Sequence, residues 1–332
     1  MVNPPTKAEI LITKGCNLSC SYCSLKQYDS TGKDEWKKQE ELSDREWSEL
    51  PSVLKEIGIS FAPIYGAEPL TRLPALTNLI SGCSGLNIPT TVITNGILLN
   101  SDAIKKLKRS GLSSITLSQD ILTQDKSIRI KGEKTASLVD KLIREFEDVE
   151  IIVTLTRDNI EHLVPFIIGL PKEVWVHFDF RHSNKGQPGS KCLGIELPFR
   201  LEDTELIRSV MKEVRTLKLM GHRIHPTIEC LNFLIDNPYN TIRQNWICEP
   251  GSWITINSDG RVIGCDDFMP TDFNFSIFDY NITWDWKTWV DEWTTQIKKC
   301  PGCIWLTHLS SSLWWRQKES EWLEEITHGR NT

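Results

Sequence analysis

The chain of 332 residues is long enough to bury one large hydrophobic core or two modest ones. Hydrophobic residues make up 39% and charged residues 25% of it, which is typical of a globular protein, and no apolar run is long enough to span a membrane. The net charge of −6 lacks the basic excess of a protein that follows a nucleic-acid duplex by phosphate contacts. The first residues show no basic region followed by an apolar stretch, so the ten cysteines predict a reducing, cytoplasmic location and metal ligation, not disulfides.

The first predicted element is an apolar strand over residues 9–13, and a loop with three cysteines follows it. Cys16, Cys20 and Cys23 have the spacing CxxxCxxC in a loop rich in Gly, Asn and Ser. A cubane iron–sulfur cluster has four irons and takes one thiolate on each, so a three-cysteine loop leaves one iron open to a non-protein ligand. The alternatives are a zinc site and three structural cysteines on one helix face, although the Gly, Asn and Ser content counts against a helix.

A helix is predicted next, from the capping box Ser43-Asp44-Arg45-Glu46 toward Gly58, and the charged run over residues 32–41 before it is most simply a solvated loop. Three short apolar strands follow, and each ends in a turn of small or polar residues. Strand 59–65 ends in Gly66-Ala67-Glu68-Pro69, strand 90–94 in Asn95-Gly96 and strand 114–118 in Ser118-Gln119-Asp120. Each turn alone is typical of an ordinary strand end, so the order of the turns after the cysteine loop is what makes them informative.

These motifs in this order resemble the radical S-adenosylmethionine (SAM) enzymes, whose cluster loop has an aromatic residue before the last cysteine, here Tyr22. The resemblance implies a 4Fe-4S cluster whose open iron binds SAM. It implies that Glu68 binds the SAM amino group, because a carboxylate there can face an ammonium, although Ala67 departs from the second glycine of the family's GGEP motif. It assigns further SAM contacts, at the ribose and the carboxylate among other groups, to Gly66, Asn95, Ser118 and Arg129.

Six predicted strands alternate with helices in the first two-thirds of the chain: 9–13, 59–65, 90–94, 114–118, 150–156 and 174–180. Repeated strand–helix units predict an α/β fold with a parallel sheet and right-handed crossovers. The resemblance implies a partial (β/α)6 TIM-like barrel, which we assign to residues 1–235. In parallel barrels the chemistry lies at the carboxyl ends of the strands, where the cysteine loop and the three turns fall.

Four more cysteines lie in the last third of the chain: Cys248, Cys265, Cys300 and Cys303. The residues around Asn257-Ser258-Asp259-Gly260 predict a β-hairpin, and a helix with a buried, tryptophan-rich face fits residues 284–298. This arrangement resembles the twitch extension, the shortened form of the SPASM extension of some radical SAM enzymes, which we assign to residues 236–332 together with a C-terminal helix. It implies one auxiliary 4Fe-4S cluster held by all four thiolates. A structural four-cysteine zinc ribbon is the alternative.

Two further cysteines, Cys192 and Cys230, are candidate hydrogen donors, because some relatives use a thiol to return a hydrogen atom to a substrate radical. Buried, inert thiols are the commoner alternative. Polar residues at or just after the sixth strand are expected near the substrate, the alternative being a polar strand end that faces water: His177, Asp179, Arg181 and His182.

The resemblance implies a radical SAM oxidoreductase or isomerase that a flavodoxin- or ferredoxin-type donor reduces. Such an enzyme cleaves SAM reductively to a 5′-deoxyadenosyl radical, which takes a hydrogen from a peptide, amino-acid-like or sugar-like substrate. Oxidation, epimerisation, cross-linking and rearrangement all stay open as outcomes. Fifteen residues precede Cys16, which makes an N-terminal leader-peptide recognition domain less expected. The alternatives are modification of a nucleobase in nucleic acid, a non-catalytic iron–sulfur electron-transfer or scaffold protein, and a zinc-stabilised nucleic-acid binder.

Overall fold

The computed structural model describes residues 5–20, 23, 41–121, 136–181, 201–237, 248, 253–265, 274–298, 306 and 309–313. Several residues of the predicted site lie outside these ranges: Tyr22, Arg129, His182, Cys192, Cys300 and Cys303.

The described residues form one sheet of nine strands, and the first six of these alternate with helices along the chain. The strands are β1 (Lys7–Leu11), β2 (Ala62–Tyr65), β3 (Thr90–Thr94), β4 (Ser114–Ser118), β5 (Asp148–Leu155), β6 (Trp175–Phe180), β7 (Trp253–Ile256), β8 (Arg261–Ile263) and β9 (Phe275–Ser276). The helices are α1 (Asp44–Ile57), α2 (Leu73–Gly85), α3 (Ser101–Arg109), α4 (Val139–Glu145), α5 (Leu163–Gly169), α6 (Thr204–Leu219), α7 (Ile228–Asp236) and α8 (Trp286–Ile297). Among these helices, none has the length and apolarity that crossing a membrane would require.

The sheet has the order β6-β5-β4-β3-β2-β1-β7-β8-β9. Neighbouring strands from β6 to β7 run parallel, and β8 and β9 are added in antiparallel fashion. Within the described residues the sheet is open, with β6 and β9 at its two edges, so the predicted α/β partial barrel is confirmed. Because β1 to β6 point the same way, their carboxyl ends meet at one edge of the sheet.

Side chains alternate between two environments along the strands, as the pleat requires. On β5, the side chains of Val149, Ile151, Val153 and Leu155 are buried and belong to the same hydrophobic core as the inward faces of the helices. The three residues between them are half-buried, and they include Glu150. The helix-covered face is therefore apolar, and the inner face of the partial barrel accepts polar and charged residues.

The predicted hairpin is confirmed as β7 and β8, joined by a tight turn in which Gly260 adopts a φ of 82°. β7 also pairs in parallel with β1, so that Lys7 lies opposite Trp253 and Ile10 opposite Ile256. The hairpin from the last third of the chain therefore extends the barrel sheet.

The tryptophan face of α8 is buried, as predicted. The ring centroids of Trp286 and Trp289 lie 4.9 Å apart with 13° between the ring planes, and those of Trp289 and Trp293 lie 5.9 Å apart with 25° between them. Trp293 covers Gly264, where an added Cβ atom would lie 2.1 Å from the indole ring. The close approach of α8 to the end of β8 therefore requires glycine at position 264.

Gly264→Ala should lower the free energy of unfolding by about 1–3 kcal/mol, because the added methyl group forces the Trp293 indole or the chain after β8 to move. Urea denaturation followed by tryptophan fluorescence measures this change. Gly169→Ala, at the exposed end of α5, is the matched control, since an added Cβ there meets nothing within 4 Å. Equal unfolding midpoints for the two variants would contradict the described packing.

Candidate active site

The three N-terminal thiols lie in one short loop at the carboxyl end of β1. Cys16 is exposed, whereas Cys20 and Cys23 are half-buried. The backbone of Cys23 donates to the carbonyl of Cys20 over 3.2 Å, and the Leu18 amide lies 3.3 Å from the Cys16 sulfur, within donating distance. Clusters are tuned by such hydrogen bonds to their sulfurs. Three accessible thiols on a loop that bends back on itself are a donor set that fits an iron–sulfur cluster.

Backbone hydrogen bonds attach this loop to the end of β2. The Ala67 amide donates to the carbonyl of Thr13 over 3.0 Å, and the Glu68 amide donates to the carbonyl of Gly15 over 2.9 Å. Gly66 has a φ of 156°, and an added Cβ atom would lie 2.6 Å from the Thr13 carbonyl oxygen. The first glycine of the motif is therefore required by the close approach of the two chains, while Ala67 is tolerated.

The Glu68 side chain is fully buried and joins the ends of β2 and β3. Its Oε1 accepts hydrogen bonds from the Leu70 amide (3.1 Å) and the Thr94 hydroxyl (2.7 Å), and its Oε2 accepts from the Asn95 amide (2.8 Å). The structure thus assigns the carboxylate a positioning task that sequence reasoning missed. Its contact with the SAM amino group stays a prediction.

Asn95 links the third strand end to the cysteine loop. Its side-chain amide donates to the Asn17 side-chain oxygen over 2.8 Å, and its Nδ2 lies 3.9 Å from the Cys16 sulfur. Ser118 is half-buried at the end of β4, beside Ile152 of β5. Gly66, Glu68 and Asn95 therefore converge on the cysteine loop, and Ser118 lies further along the same edge.

Glu41 is a supporting residue that the sequence analysis missed, because it ends a charged run that was expected to be a solvated loop. It is half-buried, and its carboxylate accepts from the Lys14 amide (2.6 Å) and the Thr13 hydroxyl (3.1 Å), with the Arg72 guanidinium 3.3 Å away. Burial lowers the pKa of the neighbouring Lys14 ammonium, against the opposing effect of Asp259 and Glu41. For Glu41 the expectation of a solvated residue was wrong; residues 32–40 lie outside the described part of the chain.

The predicted substrate-side residues on β6 are buried. His177 has its Nε2 3.6 Å from an Asp179 carboxylate oxygen, and the other oxygen of Asp179 accepts from the Leu306 amide over 2.7 Å. Burial opposes a charge on His177, but the Asp179 contact and the Glu150 charge outweigh it, so the pKa of His177 is raised. Arg181 is half-buried just after the strand. For the described residues His177, Asp179 and Arg181, the alternative of a polar strand end that faces water is therefore wrong.

The other predicted cysteines fall into two groups. Cys230 is fully buried on α7, and burial raises the pKa of its thiol to about 12, so it is protonated at neutral pH. Cys248 is half-buried against the core, and Cys265 is buried two residues after the end of β8. The hydrogen-donor role and the auxiliary cluster both stay predictions, because Cys192, Cys300 and Cys303 lie outside the described residues.

Glu68→Gln should lower the free energy of unfolding by about 1–3 kcal/mol, because each carboxylate oxygen accepts from a backbone N–H. Whichever way the glutamine amide turns, its NH₂ group faces one of these donors. Thermal unfolding and equilibrium dialysis with SAM measure stability and ligand affinity, and we expect both to fall.

The matched control is Glu46→Gln, at the exposed capping box of α1. A glutamine there can still accept the hydrogen bond from the Ser43 backbone amide. If Glu68→Gln were as stable as this control and bound SAM as well, the positioning task of Glu68 would be disproved.

Comparisons with known proteins agree with this geometry. The family model described as the radical SAM superfamily matches residues 10–179, just over half of the chain. A PqqA peptide cyclase of Gluconobacter oxydans is 29% identical over 273 residues, which cover 79% of this chain and 70% of that protein. A GTP 3′,8-cyclase of Clostridium perfringens is 26% identical over 267 residues, which cover 77% of this chain and 79% of that protein.

Two solved structures share the fold. Streptococcus suis SuiB superposes with a TM-score of 0.63 at 16% identity, over 88% of this chain and 66% of SuiB, so the chain spans about two-thirds of that protein. The structure of anSMEcpe with bound AdoMet and a Cp18Cys peptide gives a TM-score of 0.62 at 18% identity, over 89% of this chain and 83% of that one. From the match over residues 10–179, the chain belongs to the radical SAM superfamily, whose members use a 4Fe-4S cluster and SAM.

Proposed function

We propose that Cys16, Cys20 and Cys23 bind a 4Fe-4S cluster with one open iron, and that SAM binds there across the ends of β1 to β4. The observation that carries this proposal is the attachment of the three-thiol loop to Gly66, Glu68 and Asn95 by direct hydrogen bonds or close contact. When bound and reduced, the cluster supplies the electron that cleaves SAM to methionine and a 5′-deoxyadenosyl radical.

In this proposal the residues of the chain bind the cluster and SAM and hold the surrounding loop and strand ends in position. Gly66 lets the β2 end approach the cysteine loop, and Glu68 fixes the ends of β2 and β3 relative to each other. The side chain of Asn95 holds Asn17, next to the first cysteine, in place. We propose further that Glu68 binds the amino group of SAM and that Arg129, which lies outside the described residues, binds its carboxylate, because a guanidinium suits a carboxylate partner.

We propose a peptide as the substrate. Support comes from the similarity to a PqqA peptide cyclase over 79% of the chain and from the fold shared with anSMEcpe, which is solved with a bound peptide. The second candidate is a GTP-like nucleotide, which the similarity to a GTP 3′,8-cyclase over 77% of the chain favours. A flavodoxin- or ferredoxin-type protein is the proposed reductant.

The twitch extension is proposed to hold an auxiliary 4Fe-4S cluster through Cys248, Cys265, Cys300 and Cys303. The observed hairpin and α8 support this proposal, as does the position of Cys265 two residues after the end of β8. A fully ligated cluster suits electron transfer, which would make oxidation or cross-linking of the substrate the outcome.

The test is formation of 5′-deoxyadenosine by anaerobically reconstituted protein with SAM and dithionite, measured by liquid chromatography and mass spectrometry. Cys20→Ala should abolish the product, because two thiolates cannot hold the cluster with its open iron accessible to SAM. Cys83→Ala, which removes a fully buried thiol on α2, is the control and should retain the activity. Product from Cys20→Ala at the wild-type rate, or none from the wild type, would refute the proposed function. If the rate of 5′-deoxyadenosine formation rises with GTP and not with peptides, the substrate is the second candidate, a GTP-like nucleotide, and not a peptide.

A further inference from the structure

A second group of side chains of metal-ligand type lies on and beside β5 and β6, at the other end of the parallel strand order from β1. Glu150 is the third residue of β5, and His177 is the third residue of β6. His225 is brought beside them because Ile224 bridges in parallel to Val176 and the His225 amide donates to the Val176 carbonyl over 2.9 Å. Three segments far apart in the sequence thus place two imidazoles and a carboxylate together.

The three side chains are close enough to share one ion. Glu150 Oε1 lies 3.7 Å from His177 Nδ1 and 3.3 Å from His225 Nε2, and the three ligand atoms all lie within 4.8 Å of one another. Donor atoms bound to a tetrahedral zinc ion at about 2.0–2.2 Å are roughly 3.3–3.6 Å apart. Small side-chain adjustments therefore suffice to complete the coordination.

The two oxygens of Glu150 have different surroundings. Oε2 accepts a hydrogen bond from the Thr116 hydroxyl over 2.8 Å. Oε1 is buried, and among the described residues it has no hydrogen-bond donor, although it faces both imidazoles. A buried carboxylate oxygen without a donor is costly, and a bound cation is one way to offset that cost.

The surroundings of His177 are those of a metal-binding histidine. Its second ring nitrogen, Nε2, lies 3.6 Å from Asp179, which the Leu306 amide holds in place. Metal-binding histidines commonly present their other nitrogen to a carboxylate, which fixes the ring orientation. The positive charge of Lys7 also acts on His177, and Lys7 is itself paired with Glu9: Lys7 Nζ lies 2.6 Å from Glu9 Oε1.

We propose that Glu150, His177 and His225 form a binding site for a divalent metal ion of the zinc class, separate from the cysteine clusters. Two histidines and a carboxylate are a zinc donor set that leaves the fourth position to water or to a donor atom of the substrate. The side chain of His225 is 56% exposed, which gives the ion a route of entry. The site does not depend on SAM cleavage.

The test uses the full-length protein with its clusters reconstituted anaerobically, so that the cluster thiolates are engaged, and zinc chloride as the probe. Isothermal titration measures the affinity, and zinc X-ray absorption identifies the ligands. The wild type should bind zinc through nitrogen and oxygen at about 2.0–2.1 Å, not through sulfur at about 2.3 Å. Glu150→Gln and His225→Gln should each weaken zinc binding by at least about 10-fold, because changing only an outer-shell partner of a metal ligand already costs about 10–100-fold.

His222→Gln, which removes another histidine three residues away, is the matched control and should bind zinc like the wild type. His225 is largely exposed, so its variant should fold, and circular dichroism with gel filtration checks this. The proposal is overturned if the wild type binds no zinc, if the bound zinc has only sulfur ligands, or if His225→Gln binds it as tightly as His222→Gln.

Discussion

A buried carboxylate organises the edge of the sheet at which the three thiols lie. Glu68 is sealed from solvent, yet it accepts two hydrogen bonds from the end of β3 and one from the turn that follows its own strand, β2. Its own amide holds the cysteine loop through Gly15. Because a buried carboxylate is costly without donors, the three donors and the carboxylate stabilise one another, and the same residue ties the cysteine loop to the sheet edge.

Much of this arrangement is predictable from local signals. The capping box at Ser43 forms as expected, with its side chain accepting from the Glu46 amide, and α1 ends at Gly58 with a φ of 96°. The turn Asn257–Gly260 forms the predicted hairpin. These features depend on residues close together in the chain, where backbone preferences decide the outcome.

Long-range contacts explain what local signals missed. The first strand was predicted over residues 9–13 but is observed over Lys7–Leu11, because its pairing with β7 begins at Lys7. Helix α7, which contains Cys230, was not predicted. The hydrogen bond from the Asn95 side chain to the Asn17 side chain depends on how the strands pair across the sheet. It cannot be predicted from the sequence around either residue.

The polar inner face divides into two regions with different chemistry. Thiols and strand-end amides lie at the carboxyl edge of β1 to β3, whereas imidazole and carboxylate groups lie on β5 and β6. Soft thiolate ligands suit an iron–sulfur cluster, and the harder nitrogen and oxygen donors suit zinc. Under the two proposals, the fold would hold two kinds of metal at separate places.

We propose above that three thiolates leave one iron of the N-terminal cluster open to SAM. Electron paramagnetic resonance of a Cys248→Ala, Cys265→Ala double variant, reduced with dithionite, isolates the N-terminal site. We expect the signal of a reduced 4Fe-4S cluster whose g values shift when SAM is added. Zinc in place of iron, or a cluster spectrum that SAM leaves unchanged, would contradict it.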